Sequence, residues 1–236
     1  MIKVKTRYQD NFAEIEFPCG EKELYAKLRD VLKCNPQDTT VYVAEVIYPQ
    51  DFAPFKDRFI NLDELNYLAK RMESFFGNEE PKFYEAMKLE NFIEPKDLIN
   101  LSFNLDKYAL ITDVSNMGKV GREYLLETVG CVPAHDENDP KYAALGREVL
   151  TSGNGIFTEY GLLFADRSRP FEELYDGQTF PAYLYDECLF VGTIRHEDKE
   201  EYVYLPDDEL AIDKAVRRLS QASLDNCEIT LSGICS

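Results

Sequence analysis

The chain has 236 residues, with 44 Asp and Glu against 26 Lys and Arg and a formal net charge of −18. Such a charge repels nucleic acid, anionic membrane and phosphorylated substrates, and attracts cations or a protein with a basic working surface. An apolar fraction of 44%, with 15 Tyr and 15 Phe, supplies material for packed cores and excludes the low-hydrophobicity disordered class.

Taken in chain order, residues 13–17 alternate apolar and acidic side chains, the period of a half-buried strand. Residues 21–33 place Leu24, Leu28, Val31 and Leu32 on one helical face. Residues 41–48, rich in β-branched and aromatic side chains, read as a second strand. Asn61 with Glu64 marks a helix start, followed by a stripe of Leu62, Leu65, Leu68, Met72, Phe75 and Phe76. Pro81 and Pro95 suit the first turns of two further helices, so residues 61–105 are expected to form a small bundle. Residues 105–111 read as extended. Ser115 is the expected cap of a helix through Thr128 closed by Gly130, and Asp139-Pro140 opens another that runs to about Leu150. Residues 152–155 form a turn, and residues 156–164 have strand character.

Residues 182–185, 189–195 and 201–205 read as successive strands, with a hairpin turn at 197–199. From there the sequence echoes its own beginning. A gapless shift of 188 positions matches Ile15 with Val203, Pro18 with Pro206, Leu28 with Val216, and Val41 with Ile229, with identities at Glu21/Glu209 and Arg29/Arg217. The match keeps both the helical and the strand period. It predicts a duplicated strand–helix–strand module, although any two such units share that pattern. The expected architecture is α+β, an elongated chain of small modules at 1–60, 61–105, 106–170 and 171–236.

No run of 18 apolar residues is available for a membrane span, and nothing hydrophobic follows residues 1–7 as an export signal would. The six cysteines are scattered without a Cys-x-x-Cys pair, so reduced thiols in the cytoplasm are expected. Enzyme signatures are sparse. Cys131 and His135 are four apart but lack an orienting third group. No four-ligand zinc pattern exists, and the run from Asp136 to Asp139 fails the calcium-loop pattern, with Lys141 and Arg147 where Gly and Glu belong. The glycines at 118, 121, 153 and 155 are too few for a nucleotide-binding fingerprint, and Gly121, inside a predicted helix, suggests a close helix contact. No cofactor or metal is expected. The remaining feature is the carboxylate pattern, densest over residues 171–213, where 13 acids face two basic residues.

One stretch carries a resemblance. Residues 97–108 read Asp-Leu-Ile-Asn-Leu-Ser-Phe-Asn-Leu-Asp-Lys-Tyr, and residues 121–133 read Gly-Arg-Glu-Tyr-Leu-Leu-Glu-Thr-Val-Gly-Cys-Val-Pro. Tyr142-Ala-Ala-Leu-Gly-Arg147 and Gly155-Ile-Phe-Thr158 follow, with Asn61-Leu-Asp-Glu-Leu-Asn66 ahead of them. Over residues 55–165 the chain resembles the ArdA family of antirestriction proteins. The resemblance is weak before residue 55, departs between Cys131 and Pro140, and does not cover 171–236.

The resemblance implies an acidic homodimer, carried by a mobile element, that imitates B-form DNA. Such a protein occupies the DNA-binding groove of type I restriction–modification enzymes. It implies no enzymatic activity and no direct binding of nucleic acid or membrane. It assigns the third region to dimer formation and offers Glu123, Glu127 and Glu148 as mimic charges, with Asp136, Glu137 and Asp139 in the divergent connection. The charge pattern adds Glu159, Glu172, Glu173, Asp176, Asp186, Glu187, Glu197, Asp198, Glu200, Glu201, Asp207, Asp208 and Glu209 as expected partner-facing acids. Two alternatives stand beside this reading. One is an acidic regulatory protein of a mobile element that grips another basic DNA-binding protein; the other is a hydrolase using Cys131.

Overall fold

The computed structural model describes residues 1–132, 139–152, 155–182 and 188–233. Strands β1 (Ile2–Tyr8) and β2 (Asn11–Phe17) form an antiparallel hairpin in register from Ile2↔Phe17 to Tyr8↔Asn11. Strand β3 (Thr40–Tyr48) adds to β1, and β4 (Arg58–Asn61) adds to β3, giving the order β2-β1-β3-β4. Strand alternation sends Ile2, Val4, Ile15, Phe17, Val41 and Val43 to one face, where all are buried. Helix α1 (Glu21–Ala26) passes into a π-helical turn (Lys27–Leu32). This wider winding aligns residues four apart, so Leu24, Leu28 and Leu32 are buried while Val31, expected on the same face, is 47% exposed.

A 3-10 helix (Gln50–Phe55) packs on β3 through the buried, stacked rings of Phe52 and Phe55. Helix α2 (Leu62–Glu73) is capped by Asn61, whose Oδ1 accepts the Asp63 N–H at 2.9 Å. Glu64 does not complete a capping box but accepts the Tyr175 hydroxyl at 2.9 Å. Leu62, Leu65, Leu68 and Met72 are buried, but the helix stops before Phe75 and Phe76, and Phe76 is 87% exposed.

Helix α3 (Glu79–Glu90) carries Pro81 in its first turn, and α4 (Pro95–Ser102) begins on Pro95. Residues 105–107 are a 3-10 turn rather than extended chain, and β5 (Tyr108–Ile111) follows. Helix α5 (Met117–Val129) is capped by Asn116, one residue after the expected Ser115, and closes on Gly130 at φ 81°. Helix α6 (Pro140–Thr151), β6 (Gly155–Thr158) and β7 (Gly161–Ala165) complete an antiparallel sheet of order β5-β7-β6. Ala109, Ile111, Val120, Val149, Leu162 and Phe164 form the core between the sheet and α5/α6. These helices meet at glycines. A Cβ on Gly121 would lie 2.0 Å from the Tyr142 carbonyl oxygen, and one on Gly146 would lie 2.1 Å from that of Met117. The close helix contact expected at Gly121 is present; its counterpart Gly146 was not anticipated.

The last elements are β8 (Phe190–His196), β9 (Lys199–Leu205), α7 (Glu209–Arg218) and β10 (Glu228–Gly233), in a sheet of order β10-β8-β9. The 188-position shift carries the bounds of β1 and β2 onto those of β8 and β9 without change. It carries the pair Ile2↔Phe17 onto Phe190↔Leu205, and Gln9 and Glu197 share φ 53° at the hairpin turns. The strand on the far side of the hairpin is β3 in one copy and β10 in the other. The repeat suggested by the sequence is therefore a repeat of topology. Of the strand expected at 182–185, residues 183–185 lie outside the described residues.

The fold is α+β, and it divides into two compact units. One comprises Met1–Ser74, Ile93–Ile99 and the stretch from Glu173; the other comprises Phe75–Phe92 and Asn100–Glu172. The expected segments are thus grouped differently. The stretch 61–105 is no separate bundle, because α2 packs against β2 and β4 whereas α3 packs against β5 and β7. Both copies of the repeated module belong to the first unit.

Candidate partner-binding surface

Apart from Asp207, the described acids expected to face a partner sort into three physical kinds. Glu201 is the clearest correction. Strand alternation on β9 turns it inward with Val203, and it is fully buried. There it meets Arg218 of α7 at 2.9 Å and accepts the Phe180 backbone N–H at 2.9 Å. Arg218 in turn lies over the Phe180 ring at 5.0 Å, and Phe180 stacks on both Tyr67 and Tyr175. Glu201 is an internal tie and adds nothing to a surface array. Burial lifts its carboxyl above the ordinary range despite the opposing guanidinium.

Other acids are engaged in local structure. Glu123 accepts the Thr112 and Asp113 N–H groups at 2.9 and 3.1 Å, holding the turn before α5. Glu127 pairs with Lys82 at 2.5 Å and is largely covered. Asp139 caps α6 through the Lys141 N–H, a bond that holds its carboxyl below the usual range, and it also meets the Lys141 ammonium. Asp208 caps α7 through the Leu210 N–H at 3.0 Å. Asp176 accepts the Gln178 and Thr179 N–H groups; partial burial would raise its carboxyl, but these bonds outweigh it and hold the group low. Glu200 is tied to Arg195 at 2.9 Å and to the Tyr202 hydroxyl.

The third kind stands in solvent. Glu148 on α6, Glu172, Glu173, Asp198 and Glu209 are exposed, and Glu197 at the β8–β9 turn has 81% of its side chain accessible. Glu159 is 66% accessible and, like Glu173, makes only a 3.5 Å ion pair, with Lys88 and Lys96 respectively. Exposed pairs of this length neutralise little in salt water. Asp136, Glu137, Asp186 and Glu187 lie outside the described residues.

Asp207 belongs to none of these groups. It is half-buried and lines a cavity of about 70 Å³ with Glu21, Tyr25, Asp63, Asn66, Lys70 and Glu201. Burial, reinforced by Glu21, pushes its carboxyl up to about 6. The folded state therefore binds this proton more tightly than the unfolded state, whose group titrates near 4. Stability is lost as pH rises through the interval between those two values. Asp207→Asn keeps the acceptor for the Asp208 N–H and removes the penalty. We expect it to gain about 1 kcal/mol at pH 7.5, a figure discounted for solvent screening, and nothing near pH 4. Urea melts of both proteins at the two pH values check this, and equal gains at both would contradict it.

Several residues that organise this unit carry no local signal, because their partners are distant in sequence. Lys214 of α7 reaches Asp63 at 2.7 Å and lies 4.5 Å from the Tyr25 ring, while Lys70 meets Glu21 at 2.5 Å. Each of these pairs withdraws one base and one acid together, so the net charge left to the surface is that of the composition.

Cys131 is exposed just beyond α5, and His135 lies outside the described residues. Burial pushes the Cys19 thiol up to about 12, leaving it a poor nucleophile. Among the described residues no group of three or more His, Cys, Asp and Glu could hold a metal ion. None of their helices is long and apolar enough to cross a membrane. No family model matches the chain, and no curated protein matches it either.

Proposed function

We propose that this chain is an antirestriction protein of the ArdA type, which imitates B-form DNA and blocks the DNA-binding groove of a type I restriction–modification enzyme. The observation that carries the proposal is the set of solvent-facing carboxylates. Glu148 on α6, Glu159 between β6 and β7, Glu172 and Glu173 after β7, Glu197 and Asp198 at the β8–β9 turn and Glu209 on α7 all face solvent. The resemblance over residues 55–165 supports the choice of target. Duplex DNA carries one negative charge per about 1.7 Å of axis, and the enzymes that bind it line their grooves with Lys and Arg. A folded surface of dispersed carboxylates meets that groove with the same sign of field.

The experiment is competition: the protein is titrated into a type I methyltransferase bound to labelled duplex DNA. Displacement is expected near stoichiometric protein at low salt. The apparent affinity should fall by about tenfold or more as salt rises through the physiological range, because exposed charges are screened over about 8 Å there. Absence of displacement at low salt from several unrelated type I enzymes would reject the restriction-enzyme reading.

A further inference from the structure

The cavity beside Asp207 holds one negative charge more than its own cations balance. Helices α1, α2 and α7 and strand β9 all contribute to its wall, so both copies of the repeated module meet there. Four carboxylates line it. Glu21 is paired with Lys70 at 2.5 Å, Asp63 with Lys214 at 2.7 Å and Glu201 with Arg218 at 2.9 Å. Asp207 is the one left over. Its Oδ1 accepts the Asp208 N–H at 2.7 Å, and among the described residues no cation pairs with it and no donor meets its Oδ2.

A second acceptor in the wall is short of a donor. Glu201 is fully buried, and its Oε1 accepts the Phe180 N–H. Its Oε2 lies 2.9 Å from an Arg218 nitrogen but accepts no hydrogen bond. Buried carboxylate oxygens ordinarily have a donor, and a charge left uncompensated away from bulk water costs stability. Burial and the Glu21 charge together push the Asp207 carboxyl up to about 6, which agrees with the missing cation.

The ligand that completes this wall carries one positive charge and several N–H donors. Among the described residues no group of three or more His, Cys, Asp and Glu could hold a metal ion, so the cation is organic. A quaternary ammonium has no N–H to offer Asp207 or Glu201, whereas a primary ammonium has three. The rest of the wall is aromatic, with Tyr25, Tyr67, Phe180 and Tyr204. Such walls take methylenes while a few polar groups fix the charged end. The volume of about 70 Å³ matches roughly two waters at ~30 Å³ each, room for an ammonium head and its first methylenes. Asp207 is only half-buried, so the site is reached from solvent.

We propose that this cavity binds a primary alkylammonium group, with its N–H donors on Asp207 and Glu201 and its methylenes against the aromatic wall. A lysine side chain of a partner protein and a free alkylamine carry this same chemistry. The site does not depend on the restriction-enzyme reading.

The test is calorimetric titration of the whole protein with n-butylammonium chloride at pH 7.5, where Asp207 is ionised. Saturable one-to-one binding is expected, with a dissociation constant of about 1 mM. Tetramethylammonium chloride at equal ionic strength measures the general attraction of cations to an acidic protein and should give no saturable heat. Asp207→Asn, which keeps the acceptor for the Asp208 N–H, should weaken binding about tenfold, or ~1.4 kcal/mol. Glu209→Gln, an exposed acid on the neighbouring helix, should leave binding unchanged. Nα-acetyl-lysine-N-methylamide and putrescine, titrated in the same way, distinguish the two sources. Tighter binding of the lysine derivative would support a protein lysine as the occupant, and tighter binding of putrescine would support a free amine. Absent butylammonium binding, an equal response to tetramethylammonium, or binding unchanged by Asp207→Asn would each overturn the proposal.

Discussion

Gly121→Ala is expected to destabilise the α5/α6 unit by about 3 kcal/mol, although Gly→Ala inside a helix ordinarily gains about 1 kcal/mol. The reversal follows from the crossing of the two helices. The added methyl would lie 2.0 Å from the Tyr142 carbonyl oxygen and 2.8 Å from the Gly146 nitrogen, and both of these are backbone atoms. Backbone cannot rotate aside as a side chain can, so the helices must separate and the core between them must open. That core includes Val120 and Val149, both buried. Urea denaturation followed by circular dichroism checks the effect. Glu148→Ala, on an exposed position of α6, should stay within about 0.5 kcal/mol of the parent. A neutral or stabilising Gly121→Ala would mean that the helices do not cross at these glycines.

Arg218→Ala is expected to cost about 3–5 kcal/mol, because it leaves the fully buried Glu201 carboxylate without a cation. It also removes the guanidinium from the face of Phe180. The pH dependence identifies the cause. A buried carboxyl already lifted by desolvation rises further once its partner is gone, so the folded variant favours the protonated form. The deficit is therefore full above that raised value and shrinks as pH falls through it. Adding Glu201→Gln to Arg218→Ala should recover much of the loss at neutral pH by removing the stranded charge. Thermal melts at pH 7.5 and 5 decide the matter. A deficit below about 1 kcal/mol, or one independent of pH, would show that the pair is not the tie the geometry implies.

The sequence by itself determined what depends on near neighbours. Hydrophobic period located the helices and many of the strands, though not β1 or β4, Asn61 and Asp139 announced their caps, and the shift of 188 positions pointed to a repeated strand–helix–strand unit, without the hairpin partner that β1 and β8 add to it. Local chemistry erred where two neighbours competed, as at Ser115 and Asn116, and where a π-helical turn replaced an α-helical one and put Val31 outside.

Whether a carboxylate faces solvent depends on partners distant in sequence, and only the tertiary structure decided that. Glu201 and Glu197 are four residues apart in equally acidic surroundings, yet one is buried against Arg218 and the other is exposed to solvent at a turn. Asp63 is claimed by Lys214, 151 positions away. The same holds for the repeat. Val43 and Leu231 are equivalent and apolar, but only the chain that packs around Val43 buries it. Alternation assigns a residue to a face of its strand, while burial and charge compensation are set by whatever else folds against that face.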